Sequence, residues 1–439
     1  MPTEGVSQLA NLSGSMTDGL VIVLCHGDFM KKIAVIGAGV TGVTTAYKLF
    51  NNGYDVTIFE KERYPGMDTS FANGGQLSAS NAEVWTSKKT VFQGIKWIFK
   101  KDAPLLLNPK PSIHKLAWIA EFLSNISNHK KNTIATAEMA IQSRKVLNRI
   151  INKENLKIDL KKKGILHFYN SKENFQHGLK VNKWLNEAGL DRYPISVKEI
   201  KQIEPTINLK NIYAGFYTKS DMTGDIHLFT KQLALVCKNN GVSFNFESNV
   251  KDIKHVNGKF KIFYNQNNTI KDENYSGLVI CAGVYSKKLA KILGDKINIY
   301  PVKGYSITVM LNDKKSQHSA PTVSLLDDES KIVTSRLGKN RFRIAGTAEF
   351  NGYNKDIRND RVFPLIKWCN NHFPNVSTEH CIPWAGLRPM TPSMMPKVGK
   401  GKLSGVFYNT GHGHLGWTLS ALTSQMISDE ILRSNNLLN

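Results

Sequence analysis

Three clusters of residues in this chain have the types and spacing that chemistry needs. The first is Gly37-Ala-Gly39-Val40-Thr41-Gly42. It follows the apolar run Ile33 to Ile36 and precedes a stretch with helical spacing, in which Val43, Ala46, Tyr47 and Phe50 share one face. Gly37 makes a tight turn, Gly39 lets the backbone approach a pyrophosphate, and Gly42 with Ala46 lets the helix lie close to a sheet. That helix is expected from Val43 to Asn51, and its N-terminus, with Val40 and Thr41 in the turn before it, then faces the diphosphate. The strand "DVTIF" delivers Glu60, 18 positions after Gly42. There a carboxylate accepts hydrogen bonds from the ribose hydroxyls of an adenosine. A 2′-phosphate would be repelled, which excludes NADP better than it separates NAD from FAD.

The second cluster is Arg388, in "GLRP", together with Tyr305, in "KGYS". A guanidinium fork binds a carboxylate bidentately, which lysine cannot do. A structural salt bridge is the competing reading for Arg388. Tyr305 could hydrogen-bond the same carboxylate and wall a pocket, and a core tyrosine is the competing reading there. The third cluster is "TGHGHLGW", Thr410 to Trp417. Two histidines without a third ligand nearby do not make a metal site, and no metal is expected. The glycines point instead to exposed backbone. N–H groups from Gly411 through Gly413 and His414 to Leu415, with the dipole of a helix opening near Gly416, can stabilise negative charge on a ligand. His412 is the side chain expected to touch a ring or a substrate channel. Asp327, Asp328 and Glu329 read as a turn, and no G-x-S-x-G, H-E-x-x-H or P-loop is present.

These clusters need elements to position them. The fold class expected is α/β: a Rossmann-like dinucleotide-binding domain with an interleaved α+β substrate domain built on an antiparallel sheet. Residues 222–300 return to the first sheet through a helix, about Leu228 to Asn239, and the strand "VSFNF". A meander with turns at Asn257-Gly258 and Asn267-Asn268 follows. Residues 81–221 hold helices and the strand "KGILHFY", and residues 301–384 alternate as antiparallel strands do. The boundaries are therefore 30–80, 222–300 and 385–439 for the nucleotide domain, and 81–221 and 301–384 for the substrate domain. Residues 1–29 read as a poorly ordered extension, since Met30 opens "MKKIAVIGAGVTG" like a natural start.

Further motifs run in a fixed order. "KERYPGMDTSFANGGQLSAS" comes after Glu60, then "SGLVICAGVYS", "PVKGYSITV", "WAGLRPMTPSMMPKVGK" and "NTGHGHLGWTLS". Together they resemble the D-amino-acid oxidase superfamily of flavoproteins, and within it the bacterial D-amino acid dehydrogenases of the FAD-containing small-subunit type. The likeness covers essentially all of 30–433. It implies FAD as cofactor, held by the glycine turn and Glu60. Lys61, Ser70, Asn73, Gly75 and Gln76 are expected along its diphosphate and flavin edge, with Val250, Ala282, Gly283 and the loop from Gly411 to Gly416. It implies Arg388 as the substrate carboxylate clamp, and Lys303 is a candidate near the flavin. Position 414 usually carries Thr in that group, so the His414 side chain is expected to be incidental.

The implied activity is oxidative deamination of D-amino acids to 2-oxo acids and ammonia. A hydride passes from Cα to flavin, and electrons go on to a respiratory quinone or another acceptor. Glycine, sarcosine or a secondary amine such as proline remains an alternative substrate. A non-catalytic basic protein binding membrane or nucleic acid is the alternative of another class. The net charge of +23 comes from 58 basic against 35 acidic residues and is not confined to one tail, so no nucleic-acid partner is expected. Val91, Phe92, Ile95, Trp97, Ile98 and Phe99 stand beside Lys88, Lys89, Lys100 and Lys101, which suits an interfacial helix on an anionic membrane. Core packing competes with that reading. The five scattered cysteines form no C-x-x-C pair, and a cytoplasmic location fits them.

Overall fold

The run Ile33 to Ile36 is buried on both faces, as its uninterrupted apolar character requires. It is the strand Lys32–Ile36 at the heart of a six-stranded sheet. In this computed structural model, which describes residues 31–98 and 103–436, that strand pairs in parallel with Asp55–Phe59 on one side and Gly277–Ile280 on the other. Ser243–Asn245 and Val406–Thr410 extend the sheet in parallel, and Lys397–Lys400 closes one edge antiparallel. The extension at 1–29 lies outside the described residues, as do Phe99, Lys100 and Lys101.

Helix Val40–Asn51 packs on this sheet beside helices Ile226–Asn239 and Gly416–Asn436 in one apolar core. Asp225 caps the second of these, accepting from the His227 and Leu228 N–H groups. Helix His129–Lys153, expected in the other domain, sends Val146, Leu147 and Ile150 into the same core. The meander forms as anticipated, with strands Asn249–Val256, Lys259–Gln266 and Thr269–Tyr275. Its turn residues Asn257, Asn267 and Asn268 all have positive φ, which asparagine tolerates better than most residues.

The second sheet has nine strands. Tyr300–Met310 lies between Arg341–Phe350 and Cys381–Met390, antiparallel to both. Ile332–Leu337 and Ser324–Asp327 continue it. Ile165–Tyr169, Ala214–Thr218 and Arg192–Ile195 then join from the earlier segment, and Leu105–Leu107 pairs with Arg341–Phe350. The boundary expected at 385 falls inside a strand, because "WAGLRPM" pairs with "KGYS" across the sheet. The pleat sorts side chains by face. Tyr305, Ile307 and Val309 enter the core behind the sheet. Gly304 and Ser306 face the other way, toward Arg388 and the Ala72 carbonyl. Among the described residues no helix is long and apolar enough to cross a membrane.

Candidate functional site: a cavity joining a glycine turn to a half-buried arginine

A cavity of about 1260 Å³ runs from the glycine turn to the face of the nine-stranded sheet. It exceeds the roughly 300–1,000 Å³ of an ordinary small-molecule site. Gly37 has φ +107°, and a Cβ there would lie 2.7 Å from the Cys281 carbonyl oxygen. A Cβ on Gly42 would meet the Gly37 carbonyl oxygen at 1.8 Å. Neither residue lines the cavity; both let strand and helix close up behind it. Gly39, Val40 and Thr41 do line it, with Glu60 and Lys61.

Glu60 also braces the turn. One carboxylate oxygen accepts from Ala38 N–H at 2.7 Å and the other from Glu62 N–H at 3.0 Å. Burial pushes its carboxyl up from the ordinary value, against the two N–H bonds that favour the anion. Each oxygen keeps a further lone pair for a ribose hydroxyl. Lys61 is tied to Glu62 and Asp68 at 3.2 and 3.3 Å and lies over the Tyr285 ring. Ser70 Oγ accepts from Val40 N–H. Asn73 Oδ1 accepts from Gly75 N–H, and Gly75 abuts Ser335, so this loop holds tightly to the second sheet. Gln76 Nε2 donates to Ser324 and Leu325, leaving its buried Oε1 without a protein partner. Val250, Ala282 and Gly283 line the same space.

At the other end stands Arg388. Its Nη1 donates to the Thr347 carbonyl at 2.9 Å, and Nη2 lies 3.5 Å from that of Gly346. No carboxylate among the described residues is in ion-pair range, so the competing salt-bridge reading has no partner there. Burial pushes the guanidinium down to about 10, which leaves it cationic at neutral pH. Sequence reasoning missed its seat: a Cβ on Gly304 would lie 2.2–2.3 Å from three guanidinium atoms. The signal was present, since "KGYS" and "GLRP" carry glycines that the register pairs, Gly304 with Gly386.

Tyr305 requires a correction. It borders the cavity, but its phenol donates to Glu349 Oε2 at 2.6 Å and its ring belongs to the core behind the sheet. That proton is committed, so Tyr305 is not placed to donate to a substrate carboxylate. Lys303 is likewise not near the cofactor end: it is buried on the same face, paired with Glu349 at 3.3 Å and bonded to Asn354.

The loop from Gly411 to Gly416 lines the cavity throughout. Two of its N–H groups are not available as expected: Gly413 donates to the Pro389 carbonyl and Leu415 to that of His412. Gly411, His412 and His414 remain from the expected set. Burial pushes His412 down to about 3, and its Nε2 sits 3.0 Å from Thr423 Oγ1, so the ring is neutral. His414 is not incidental. It stacks on Trp85 with centroids 5.1 Å apart and bonds the Asn81 carbonyl through Nε2. Its Nδ1 and the Trp417 Nε1 are buried without a protein partner.

A charged group also went unrecognised. Asp327 does hold a turn, accepting from the Glu329 and Ser330 N–H groups. Asp328 faces the cavity, bonded to Lys331 at 2.8 Å and 3.6 Å from His167. Glu83, also lining it, is held well below the usual carboxylate range, at about 2: against the effect of burial, His177 bonds it at 3.3 Å and His129 Nε2 stands 3.2 Å away.

The cavity suits FAD on these observations: a turn in which Gly37 and Gly42 let strand and helix close up so that Gly39, Val40 and Thr41 face the space, a carboxylate at that end, and orphaned Gln76 Oε1 and Trp417 Nε1 along its wall. Comparison with known proteins agrees. The chain is 55% identical over 399 residues to D-amino acid dehydrogenase 3 of Mesorhizobium japonicum, covering 91% of this chain and 96% of that one. It is 37% identical to the D-amino acid dehydrogenase of Dechloromonas aromatica, covering 91% and 96%. Among solved structures, glycine oxidase from Geobacillus kaustophilus superposes with TM-score 0.72 at 19% identity, covering 92% of this chain and 95% of that one. L-proline dehydrogenase from P. horikoshii superposes with TM-score 0.71 at 16% identity, covering 92% and 94%; at such identities the likeness is one of fold. Residues 32–430 match the family described as DAO, FAD dependent oxidoreductase, and the chain belongs to that family.

Proposed function

We propose that this chain is an FAD-dependent D-amino acid dehydrogenase. It converts a D-amino acid and water to a 2-oxo acid and ammonia and passes two electrons to an acceptor. The observation that carries this reading is Arg388, a half-buried cation with no carboxylate partner among the described residues, seated on Gly304 and facing the cavity. Bound FAD supplies the capacity to take a hydride from the substrate Cα.

The protein's own residues do the rest. Arg388 binds the α-carboxylate and fixes the substrate's orientation. The Thr347 carbonyl holds the guanidinium, so little reorganisation is needed when substrate arrives. His412 and His414 are neutral at physiological pH and add no charge to repel the substrate amine. Trp85 and His414 form a stacked wall that keeps water from one side of the cavity. No general base is invoked: a substrate whose amine has shed its proton needs none.

The acceptor belongs to the same reading. We assign a quinone as its class and place the protein at the cytoplasmic face of the membrane in peripheral contact. Helix Lys88–Ile98 exposes Phe92 and Ile95 beside Lys88 and Lys96, which supports that contact. Sedimentation with anionic vesicles tests it, and a protein that stays in the supernatant at low salt removes it. The activity is tested by anaerobic bleaching of flavin absorbance with a panel of D- and L-amino acids. D-isomers bleach it; bleaching by no D-isomer overturns the reading.

A further inference from the structure

One wall of the cavity carries charges that neither the glycine turn nor Arg388 uses. It begins beside the clamp. Arg388 lies against the carbonyls of Thr347 and Gly346. Lys331 precedes the strand Ile332–Leu337, which pairs with the strand holding those carbonyls. A Cβ on Gly346 would lie 3.2 Å from the Lys331 carbonyl oxygen. Neighbouring strands are roughly 4.8 Å apart, so Lys331 starts one strand's width from the clamp. The charges of Arg388 and Lys331 both reach the His414 ring. Gly346, Lys331, Arg388 and His414 all line the cavity.

Lys331 spends one of its three N–H donors on Asp328 Oδ1, at 2.8 Å, and half of its side-chain surface stays open. Glu83 continues the wall. His177 Nε2 bonds Glu83 Oε1 at 3.3 Å, and His129 Nε2 stands 3.2 Å from that same oxygen. Oε2 has no hydrogen bond among the described residues, and Glu83 and Lys331 each feel the other's charge. A substrate held by its α-carboxylate on Arg388 therefore meets an ammonium with spare donors and a carboxylate oxygen with spare lone pairs. This pair discriminates among side chains. A second carboxylate is drawn to Lys331 but repelled by Glu83. A second ammonium is drawn to Glu83 but repelled by Lys331. An apolar side chain strips water from both charges and returns no hydrogen bond. A neutral group that donates and accepts at once satisfies both.

We infer that Glu83 and Lys331 form the subsite for the substrate's side chain, and that it takes D-amino acids bearing a carboxamide or a hydroxyl. The inference rests on the amine-oxidation reading above. A carboxamide N–H donates to Glu83 Oε2, and the carboxamide oxygen accepts from Lys331.

The test uses the flavin-loaded enzyme and pairs of ligands of equal shape. Succinamate and isocaproate are asparagine and leucine without the amine. They bind without reacting, and changes in flavin absorbance read their Kd. Succinamate should bind at least about tenfold more tightly than isocaproate, and D-asparagine should exceed D-leucine by a similar factor in dye-coupled kcat/KM. Lys331→Met keeps the length of the side chain and removes its donors, so both ratios fall at least about fivefold. Damage to the fold alone lowers both members of a pair alike and leaves their ratio standing. Glu83→Gln removes the repulsion, so D-aspartate gains about tenfold on D-asparagine. A wild type that binds isocaproate as tightly as succinamate overturns the inference, as do ratios unchanged in both variants. If no D-amino acid reduces the flavin while succinamate is still preferred and Lys331→Met abolishes that preference, it is the amine-oxidation reading that fails and the subsite that stands.

Discussion

Arg388 shows how far one residue's environment decides its use. A guanidinium bonded only to backbone carbonyls keeps its charge for a ligand, and the space for it exists because residue 304 has no side chain. Arg388→Lys keeps the charge but loses the fork, so kcat/KM for D-amino acids should fall ten- to a hundredfold, about 1.5–3 kcal/mol. Steady-state kinetics with a dye acceptor checks this, and an unchanged value would remove Arg388 from the clamp. Gly304→Ala should raise KM through the same arginine while leaving the melting temperature within a few degrees, because the flexible guanidinium gives way before the backbone does. The buried histidines make a prediction about pH. Their folded values, about 3 for His412 and about 4 for His414, lie below the ordinary value. The unfolded chain therefore takes up protons first as pH falls. Their contribution to stability is constant above about pH 7 and declines from about pH 6.5 downward, by up to ~1.4 kcal/mol per pH unit for each histidine. Thermal melts between pH 8 and 5 read it, and His412→Gln should flatten the decline; a variant as acid-sensitive as the wild type would exclude His412 as a source.

At the scale of elements, the strand–turn–helix around Gly37 to Gly42 was legible because its glycines each answer a steric demand that spacing alone reveals. Only the helix start differed, at Val40 rather than Val43. Gly42→Ala places a methyl 1.8 Å from a backbone oxygen that cannot rotate away, so the helix must move off the sheet. We expect loss of bound flavin, seen as a colourless protein after purification, with the secondary structure retained by circular dichroism. A yellow Gly42→Ala protein with wild-type affinity would show that the close approach is not needed. The strand Tyr300–Met310 was legible as a strand but not in its facing. Its residues are buried on both sides, so no polar alternation marks which face meets the cavity. Tyr305 was consequently expected in the site, though its phenol belongs to the far face with Glu349. The loop at Gly411 was recognised for its exposed backbone, but the Gly413 N–H is consumed by the strand 381–390, over twenty residues away, and no local pattern encodes that.

At the scale of the whole molecule, each sheet is assembled from segments far apart in the chain. The six-stranded sheet takes strands from residues 32–59, 243–280 and 397–410, and the nine-stranded sheet from 105–107, 165–218 and 300–390. Composition and periodicity identify such strands but not their neighbours, which is why the domain boundaries drawn from sequence cut through Cys381–Met390. The same arrangement ties cofactor binding to global stability. The loop 66–76 and the loop 410–416 both line the cavity. The first is fastened to the nine-stranded sheet through the bonds of Ser306 and Ser335 to Ala72 and Gly74; the second, through Gly413, is fastened to Pro389. A ligand filling this space contacts parts of both sheets at once, so its binding free energy adds to the folding of both. At a hundredfold excess over its dissociation constant, FAD should stabilise the fold by about 2.7 kcal/mol. Stripping FAD should then lower the melting temperature of the entire protein in a single transition, and the temperature should climb again as FAD is titrated back. Separate transitions in the apoprotein, only one of them responsive to FAD, would show instead that the two sheets fold independently and that the cavity does not couple them.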